Sequence, residues 1–533
     1  MKTLRRILTL FLAVIIMIVS VSFAGCSDKK SAVDSIDDNY RTFYQIFVGS
    51  FSDSNGDGIG DIRGIINKFD YLNDGNVNSG KSLGVQGIWL SPIFSSPSYH
   101  KYDIVNYYKI DGRFGTEDDL KELIALCHER NVKLILDIAI NHTSDQNAWF
   151  MNFKSSRMNG DATNKYYDYY TAVTTAEKVN GRTYQKIAGA DNWYECNFSG
   201  SMPELNFDNP EVREETLNIA KYYLDLGVDG FRFDAIKYIY YGDTAASVEF
   251  WNWYMSELRK IKPDIYCVGE CWSGDTEIIE YYGAMDCFGF AFSQQEGVIA
   301  TAAKGMSNIS NYTNYVSSWQ KKISEKNPEG MVMSFLSNHD MDRIAGSFVT
   351  ENNMRMAANL NILTPGSPFI YYGEEIGMRG SRGSANTDAN RRLAMLWGDE
   401  ENVVKDPMGA NYPISNQITS TVASQTVDEN SLYNYYCKLI AIRHRYKAIA
   451  RGVYNAVSTS EKNLGGFLVE YNSEKLIIMH NTSPTDELSC DLAKCTGLSG
   501  YTPSEIADFI GVNNAKLEGT VLTLGPQTSV VLK

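Results

Sequence analysis

Four places in this chain set acidic side chains, or their polar partners, at the end of a short apolar run. They are Asp137-Ile-Ala-Ile-Asn141-His142, Gly230-Phe-Arg232-Phe-Asp234-Ala235, Gly269-Glu270-Cys-Trp272 and Ser337-Asn338-His339-Asp340. Carboxylates at such positions can serve as nucleophile, general acid or general base. A single acid after a strand most often caps a turn or a helix. Four clusters of the same kind are not explained that way.

The elements that must position these groups follow from the apolar pattern. From Thr42 onward, short buried-type runs recur, each followed by a longer helix-like stretch: 43–51, 85–93, 134–140, 228–233, 265–268, 331–336 and 368–372. Continuous apolar strands alternating with helices predict a parallel sheet covered on its outside, and this many repeats predict an α/β fold of the (β/α)8 barrel type. The sixth strand is the weakest, expected near 286–290. Catalytic groups of such barrels sit where the strands end, because only there do loops open a pocket above the packed interior.

The alternation breaks after Asn141. The stretch 142–203 is rich in Asn, Tyr, Gly and Ser without helical period, and is read as a small inserted domain. After Gly452, short alternating segments separated by turn residues predict an all-β C-terminal domain, 453–533. The catalytic barrel is then 41–141 with 204–452, closed by a helix over 432–446. A net charge of -15 opposes phosphate-backbone binding, so no nucleic-acid partner is expected. Thirty-four tyrosines offer flat rings with a hydroxyl at the edge, a chemistry that suits sugar faces as well as a core.

At the N-terminus, Lys2, Arg5 and Arg6 precede an apolar run, 7–23, that ends in Ala24-Gly25-Cys26. This reads as a signal peptide, 1–25. Small residues before a cysteine resemble the bacterial lipobox, with Phe23 as a departure, so Cys26 is the expected lipidation site and the membrane an expected partner. Residues 26–40 read as a tether. The other eight cysteines follow no framework spacing and read mainly as structural thiols; Cys490 and Cys495 could pair across a turn.

A separate run, Asp53-Ser-Asn55-Gly-Asp57-Gly58-Ile59-Gly60-Asp61, alternates oxygen donors with glycines and offers a backbone carbonyl at Ile59. That is a hard-cation pattern. It differs from an EF-hand in that Gly64 stands where a bidentate Glu belongs. Only six histidines occur, and His100, His142 and His339 fall in or beside the strand-end clusters, whereas His128, His444 and His480 read as surface or helix residues. A three-histidine metal site is the rival reading; no helical His-x-x-x-His pair supports it, and the neighbouring Tyr and Arg suit sugar hydroxyls better.

Taken together, the segments resemble the ordered regions of the α-amylase family, glycoside hydrolase family 13. Gly87-Ile-Trp-Leu-Ser-Pro92 with His100-Lys-Tyr102-Asp103, Met202-Pro-Glu-Leu-Asn206 and Gly366-Ser-Pro-Phe-Ile-Tyr-Tyr-Gly-Glu374 add to the four clusters. The resemblance implies a retaining enzyme acting on α-glucans, with Asp234 as nucleophile, Glu270 as acid/base and Asp340 as third carboxylate. It further implies that Arg232 keeps Asp234 ionised, that Tyr102, His142 and His339 meet the reacting sugar, that Asp388 and Arg392 meet the next glucose, and that Lys237 lies on the leaving-group side. For the acidic loop it implies structural calcium on Asp53, Asn55, Asp57, Ile59 and Asp61. Ala235 after the nucleophile resembles the α-1,4 pattern; an α-1,6-acting or transglycosylating enzyme and a non-catalytic glucan-binding protein are the alternatives. Tyr238, Lys101 and Glu204 depart from frequent family residues.

Overall fold

The computed structural model describes residues 38–533 except 77–78, 176–180 and 399–400. The segment read as a signal peptide, Cys26 and most of the stretch read as a tether lie outside the described residues. Seven parallel strands, Phe43–Ile46, Gly87–Leu90, Lys133–Ile138, Gly230–Phe233, Tyr266–Gly269, Asp286–Cys287 and Phe369–Tyr371, form one sheet. The segment 331–336 closes the ring through isolated bridges, Phe288 with Met333 and Phe335 with Phe369. Its carbonyls accept from both neighbours, Met333 O from the Gly289 N–H at 2.9 Å and Ser334 O from the Phe369 N–H at 2.8 Å, while the Met331 N–H goes to the Asp286 carboxylate at 2.8 Å. The result is the expected (β/α)8 barrel.

Side chains alternate along each strand, so Phe231 and Phe233 point outward while Arg232 points into the barrel. Outside, Phe233 packs on Trp251 and Tyr254 of the helix Thr244–Ile261. Inside, the Phe43 ring stacks on Tyr266 at 4.5 Å and on Phe369 at 4.8 Å. Each such pair adds about 0.5–1.5 kcal/mol beyond simple burial. Gly87 is required beside them, since a Cβ there would stand 2.3 Å from the Phe43 ring.

The covering helices carry their own signals. In Glu117–Glu129, Thr116 and Asp119 form a capping box, and Leu120, Leu123, Ile124 and Cys127 make one buried stripe. Pro210–Leu226 starts on Asn209 with proline in its first turn and ends at left-handed Gly227. The closing helix spans Leu432–Arg445.

Two features differ from the sequence reading. The stretch after Asn141 contains a helix, Ala148–Asn159, capped by Asn147 and stopped at left-handed Gly160, before a small sheet of Ala172–Val173, Trp193–Glu195 and Tyr184–Lys186. Its apolar stripe is narrow, Phe150 and Phe153, so helical period is faint in the sequence. His480 is neither on the surface nor on a helix. It lies fully buried in the strand Glu474–Asn481, where burial lowers its pKa to about 3.

Beyond Gly452 the chain forms a five-stranded antiparallel sheet and a three-stranded one. They enclose a second core containing Val457, Leu468, Leu522 and Val530. The eight cysteines of the described residues are free; the turn Leu492–Lys494 does separate Cys490 from Cys495. Among the described residues no helix is long and apolar enough to cross a membrane.

Candidate active site

At the ends of the fourth and fifth strands the ladder stops in step. Phe233 pairs with Gly269, so Asp234 and Glu270 emerge side by side one residue later. Their backbones stay tied: the Asp234 N–H donates to Ile138 O at 3.1 Å, and the Glu270 N–H to Phe233 O at 2.9 Å. Ala235 then adopts a left-handed φ of 48°. Its N–H donates to Glu270 Oε2 at 3.0 Å. Strain of this kind persists only where surroundings over-determine it.

These two carboxylates and Asp340 line one cavity of about 820 Å³ at the barrel mouth. Beneath it lies Arg232, fully buried, whose Nη1 donates to Asp137 Oδ1 at 2.8 Å and to Asp234 Oδ1 at 2.6 Å. Its Nη2 is 3.8 Å from Glu270 Oε2. Glu270 is thus the more weakly paired acid. Burial pushes its carboxyl up to about 7; Arg232 opposes this, and the Asp234 and Asp340 charges add to it. Burial pushes Asp340 up as well, but its partners His339 (Nε2 to Oδ2, 2.9 Å) and Arg392 (Nη2 to Oδ1, 2.6 Å) outweigh it and hold the carboxyl well below the usual range. One pocket therefore holds a carboxyl poised to keep its proton and another that is firmly ionised.

The other expected residues divide into wall and support. Tyr102, His142, Lys237, Asp388 and Arg392 line the cavity; Arg232 and His339 stand behind it. The Tyr102 hydroxyl donates to Asp137 Oδ2 at 2.8 Å and meets His339 Nε2 at 2.6 Å, and its ring stacks on His339. Both ring nitrogens of His142 face protein groups, Tyr102 O at 3.1 Å and Asn141 Nδ2 at 3.0 Å. Lys237 Nζ donates to the Trp272 carbonyl at 2.7 Å. Asp388 is held by Arg391 at 2.8 Å and Arg382 at 2.9 Å. Asp137, fully buried, accepts from Trp89, Tyr102 and Arg232 and braces the floor. Asn141 donates to Glu204.

Several wall residues are not among those expected, notably Tyr99, Phe198, Trp272 and Asn386. Trp272 had a signal: two residues past Glu270 at a strand end, it shares that face. Phe198 had none, because it arrives from the insertion and packs on Tyr238 and His142.

The residues expected to hold calcium sit in a loop directly before the helix Ile62–Asn67, which Asp61 caps. Asp53 accepts from the N–H groups of Asn55, Gly56 and Gly58, Asn55 from Asp57, Asp57 from Ile59 and Asp61 from Ser54 and Gly64. The donor set is all oxygen and fits a hard cation. Its side chains close on the loop's own amides, and no group of three or more His, Cys, Asp or Glu among the described residues converges as a metal cluster.

Comparison with known proteins agrees with this geometry. The family model "Alpha amylase, catalytic domain" matches residues 45–452. The chain is 35% identical over 502 residues to "Alpha-amylase 3" of Dictyoglomus thermophilum, covering 92% of each. It is 29% identical to an oligo-1,6-glucosidase of Bacillus cereus, over 92% of this chain and 98% of that one. Among solved structures, Eubacterium rectale Amy13B superposes with a TM-score of 0.82 at 35% identity, covering 94% of this chain and 96% of that one. The α-amylase from H. orenii superposes with a TM-score of 0.80 at 31% identity, over 93% and 99%. The chain belongs to the α-amylase family of glycoside hydrolases.

Proposed function

We propose that this enzyme hydrolyses α-1,4-glucosidic bonds of starch-like glucans or maltodextrins by double displacement. Asp234 attacks the anomeric carbon, Glu270 gives its proton to the leaving oxygen and then takes one from water, and Asp340 holds the hydroxyls beside the reacting carbon. The observation that carries this reading is the convergence of three carboxylates on one cavity with unequal partners: Asp234 lies 2.6 Å from Arg232 and Asp340 2.6 Å from Arg392, while Glu270 is 3.8 Å from its cation, the pattern expected of paired acids with different tasks. Ala235 after the nucleophile favours α-1,4 bonds. The likeness to oligo-1,6-glucosidases keeps an α-1,6 preference as the second reading. Digestion of maltoheptaose, pullulan and isomaltose separates the two: maltoheptaose is cut fastest on the first, isomaltose on the second.

The same reading places calcium on Asp53, Asn55, Asp57, Ile59 and Asp61, where it would brace the loop after the first strand without touching substrate. It also places the enzyme on the outer face of the cell envelope, anchored through acylated Cys26, supported by the lipobox-like Ala24-Gly25-Cys26. Metabolic labelling with a fatty-acid analogue checks the anchor. Label on the wild type but not on Cys26→Ser supports it, and equal release of both into the medium sinks it.

A further inference from the structure

Gln45, in the first strand, lies two residues after Phe43 and shares its inward face. Its backbone is in register with Trp89 on one side and Tyr371 on the other, and its side chain is buried. The amide Nε2 stands 2.7 Å from Nδ1 of His339. We infer that Gln45 is a positioning residue for the reaction: it sets the single ring proton of His339 on Nε2, where that proton faces Asp340. The inference rests on the role given to Asp340 in the glucan reading above.

The hydrogen bonds around the ring agree from both sides. An amide nitrogen only donates, so the Nδ1 that faces Gln45 accepts and carries no hydrogen. Across the ring, Nε2 stands 2.9 Å from Asp340 Oδ2 and 2.6 Å from the Tyr102 hydroxyl. The Tyr102 hydrogen is given to Asp137 Oδ2 at 2.8 Å, so that hydroxyl can only accept from Nε2. An ionised carboxylate can also only accept. Both neighbours therefore require the hydrogen on Nε2.

The ring is clamped in that orientation. His339 is fully buried, with the Tyr102 ring stacked on it at 5.4 Å and the Trp89 ring edge-on at 5.9 Å. Its backbone carbonyl accepts from Arg392 Nε at 2.9 Å, which ties it to the same arginine that pairs with Asp340. Turning the ring over would set carbon atoms against Gln45, Asp340 and Tyr102, leaving buried polar groups without partners. Turning the Gln45 amide over would present its carbonyl to Nδ1 and call for a second proton on the ring.

That second proton is what the site gains by excluding. Asp340 already has one cation, Arg392, at 2.6 Å, and Arg232 lies beneath Asp234. An imidazolium would add a further positive charge beside a carbon that becomes positive in the transition state. A neutral Nε2–H holds Asp340 in place through a hydrogen bond and brings no cation. The opposite tautomer would turn a bare nitrogen on Asp340, setting two acceptors face to face.

NMR of the full chain labelled with 15N-histidine reads the tautomer directly. The protein has six histidines, and the His339 signal is the one that disappears in His339→Asn. The wild type at neutral pH should show a bare Nδ1 and a protonated Nε2. A hydrogen on Nδ1, alone or together with one on Nε2, overturns the inference whether or not any variant folds. Gln45→Glu keeps the size of the side chain and turns the donor into an acceptor. It should put a hydrogen on Nδ1 and lower kcat on maltoheptaose about tenfold or more, with KM changed less than about threefold. A role in packing alone would leave this variant near the wild type, so a kcat within about twofold overturns the inference. Gln45→Met, which removes the donor without adding a charge, decides the matter should Gln45→Glu fold poorly. Mixed His339 tautomers with a several-fold lower kcat are expected there, and wild-type signals with wild-type kcat overturn the inference. A wild type that shows the expected His339 signals yet leaves maltoheptaose uncut overturns the glucan reading, and the catalytic role of Gln45 with it, while the tautomer stands.

Discussion

The two ends of the barrel each hold a large cavity and an acid that burial pushes up to about 7. At the mouth the acid is Glu270, in about 820 Å³; at the opposite end it is Asp286, in about 650 Å³. What differs is the company. Glu270 shares its cavity with Asp234 and Asp340, each held by an arginine, whereas Asp286 accepts one N–H from Met331, and the nearby Arg259 spends a donor on the Ala284 carbonyl. A raised pKa alone therefore does not mark a catalytic group. What sets the mouth apart is three carboxylates, each in a different environment, converging on one space.

Removing one carboxylate at each end should sharpen that contrast most. Asp234→Asn should lower kcat by about 10⁴-fold or more while glucan binding survives, since the amide keeps the shape and loses the nucleophile. Asp286→Asn, which keeps an acceptor for the Met331 N–H, should leave kcat/KM within about twofold. Steady-state kinetics and binding of an uncut oligosaccharide measure both. Comparable losses in the two variants would erase the distinction.

A smaller effect separates the two ends by pH. On the proposed mechanism hydrolysis needs the Glu270 proton, so activity should fall as pH rises through about 7, roughly tenfold per pH unit above it. Asp286 should act on stability instead. Its folded pKa is raised above an unfolded value of about 4, so its contribution is complete below about pH 4 and is lost as pH rises through about 7. Asp286→Asn should flatten the decline of Tm over that window and leave the activity profile where it was. A shifted activity profile in that variant would tie the lower cavity to catalysis.

The smallest effect concerns a third acidic region, the Asp53 loop. Chelation should lower Tm by a few degrees, about 2–6 °C, with little change in kcat, because a cation bound only to the folded state stabilises by mass action. Asp57→Ala should mimic it. An unchanged Tm in both cases, with no calcium by elemental analysis, would make the loop an acidic turn closed on its own amides.

These contrasts also show what a sequence can convey. Asp234, Glu270 and Asp340 were readable because strand ends are a local signal, and so was Arg232 two residues before Asp234. The division of Tyr102 and Arg392 from His339 was not, since wall and support differ only in which side of a packed layer a ring occupies. Phe198 was invisible because its place depends on how the insertion folds back onto Tyr238. The helix Ala148–Asn159 announced itself only by its caps, Asn147 and Gly160, as its buried stripe is too narrow to show a period. His480 was misread because both faces of its strand are covered, which removes the alternation that marks a half-exposed strand.

The central claim is that Asp234 and Glu270 act in two successive displacements at one anomeric carbon. NMR of maltoheptaose digestion, followed before mutarotation equilibrates the sugars, tests it most directly. The account predicts that the α-anomer appears first and decays toward equilibrium. The β-anomer appearing first would mean a single displacement by water, and would contradict the role given to Asp234.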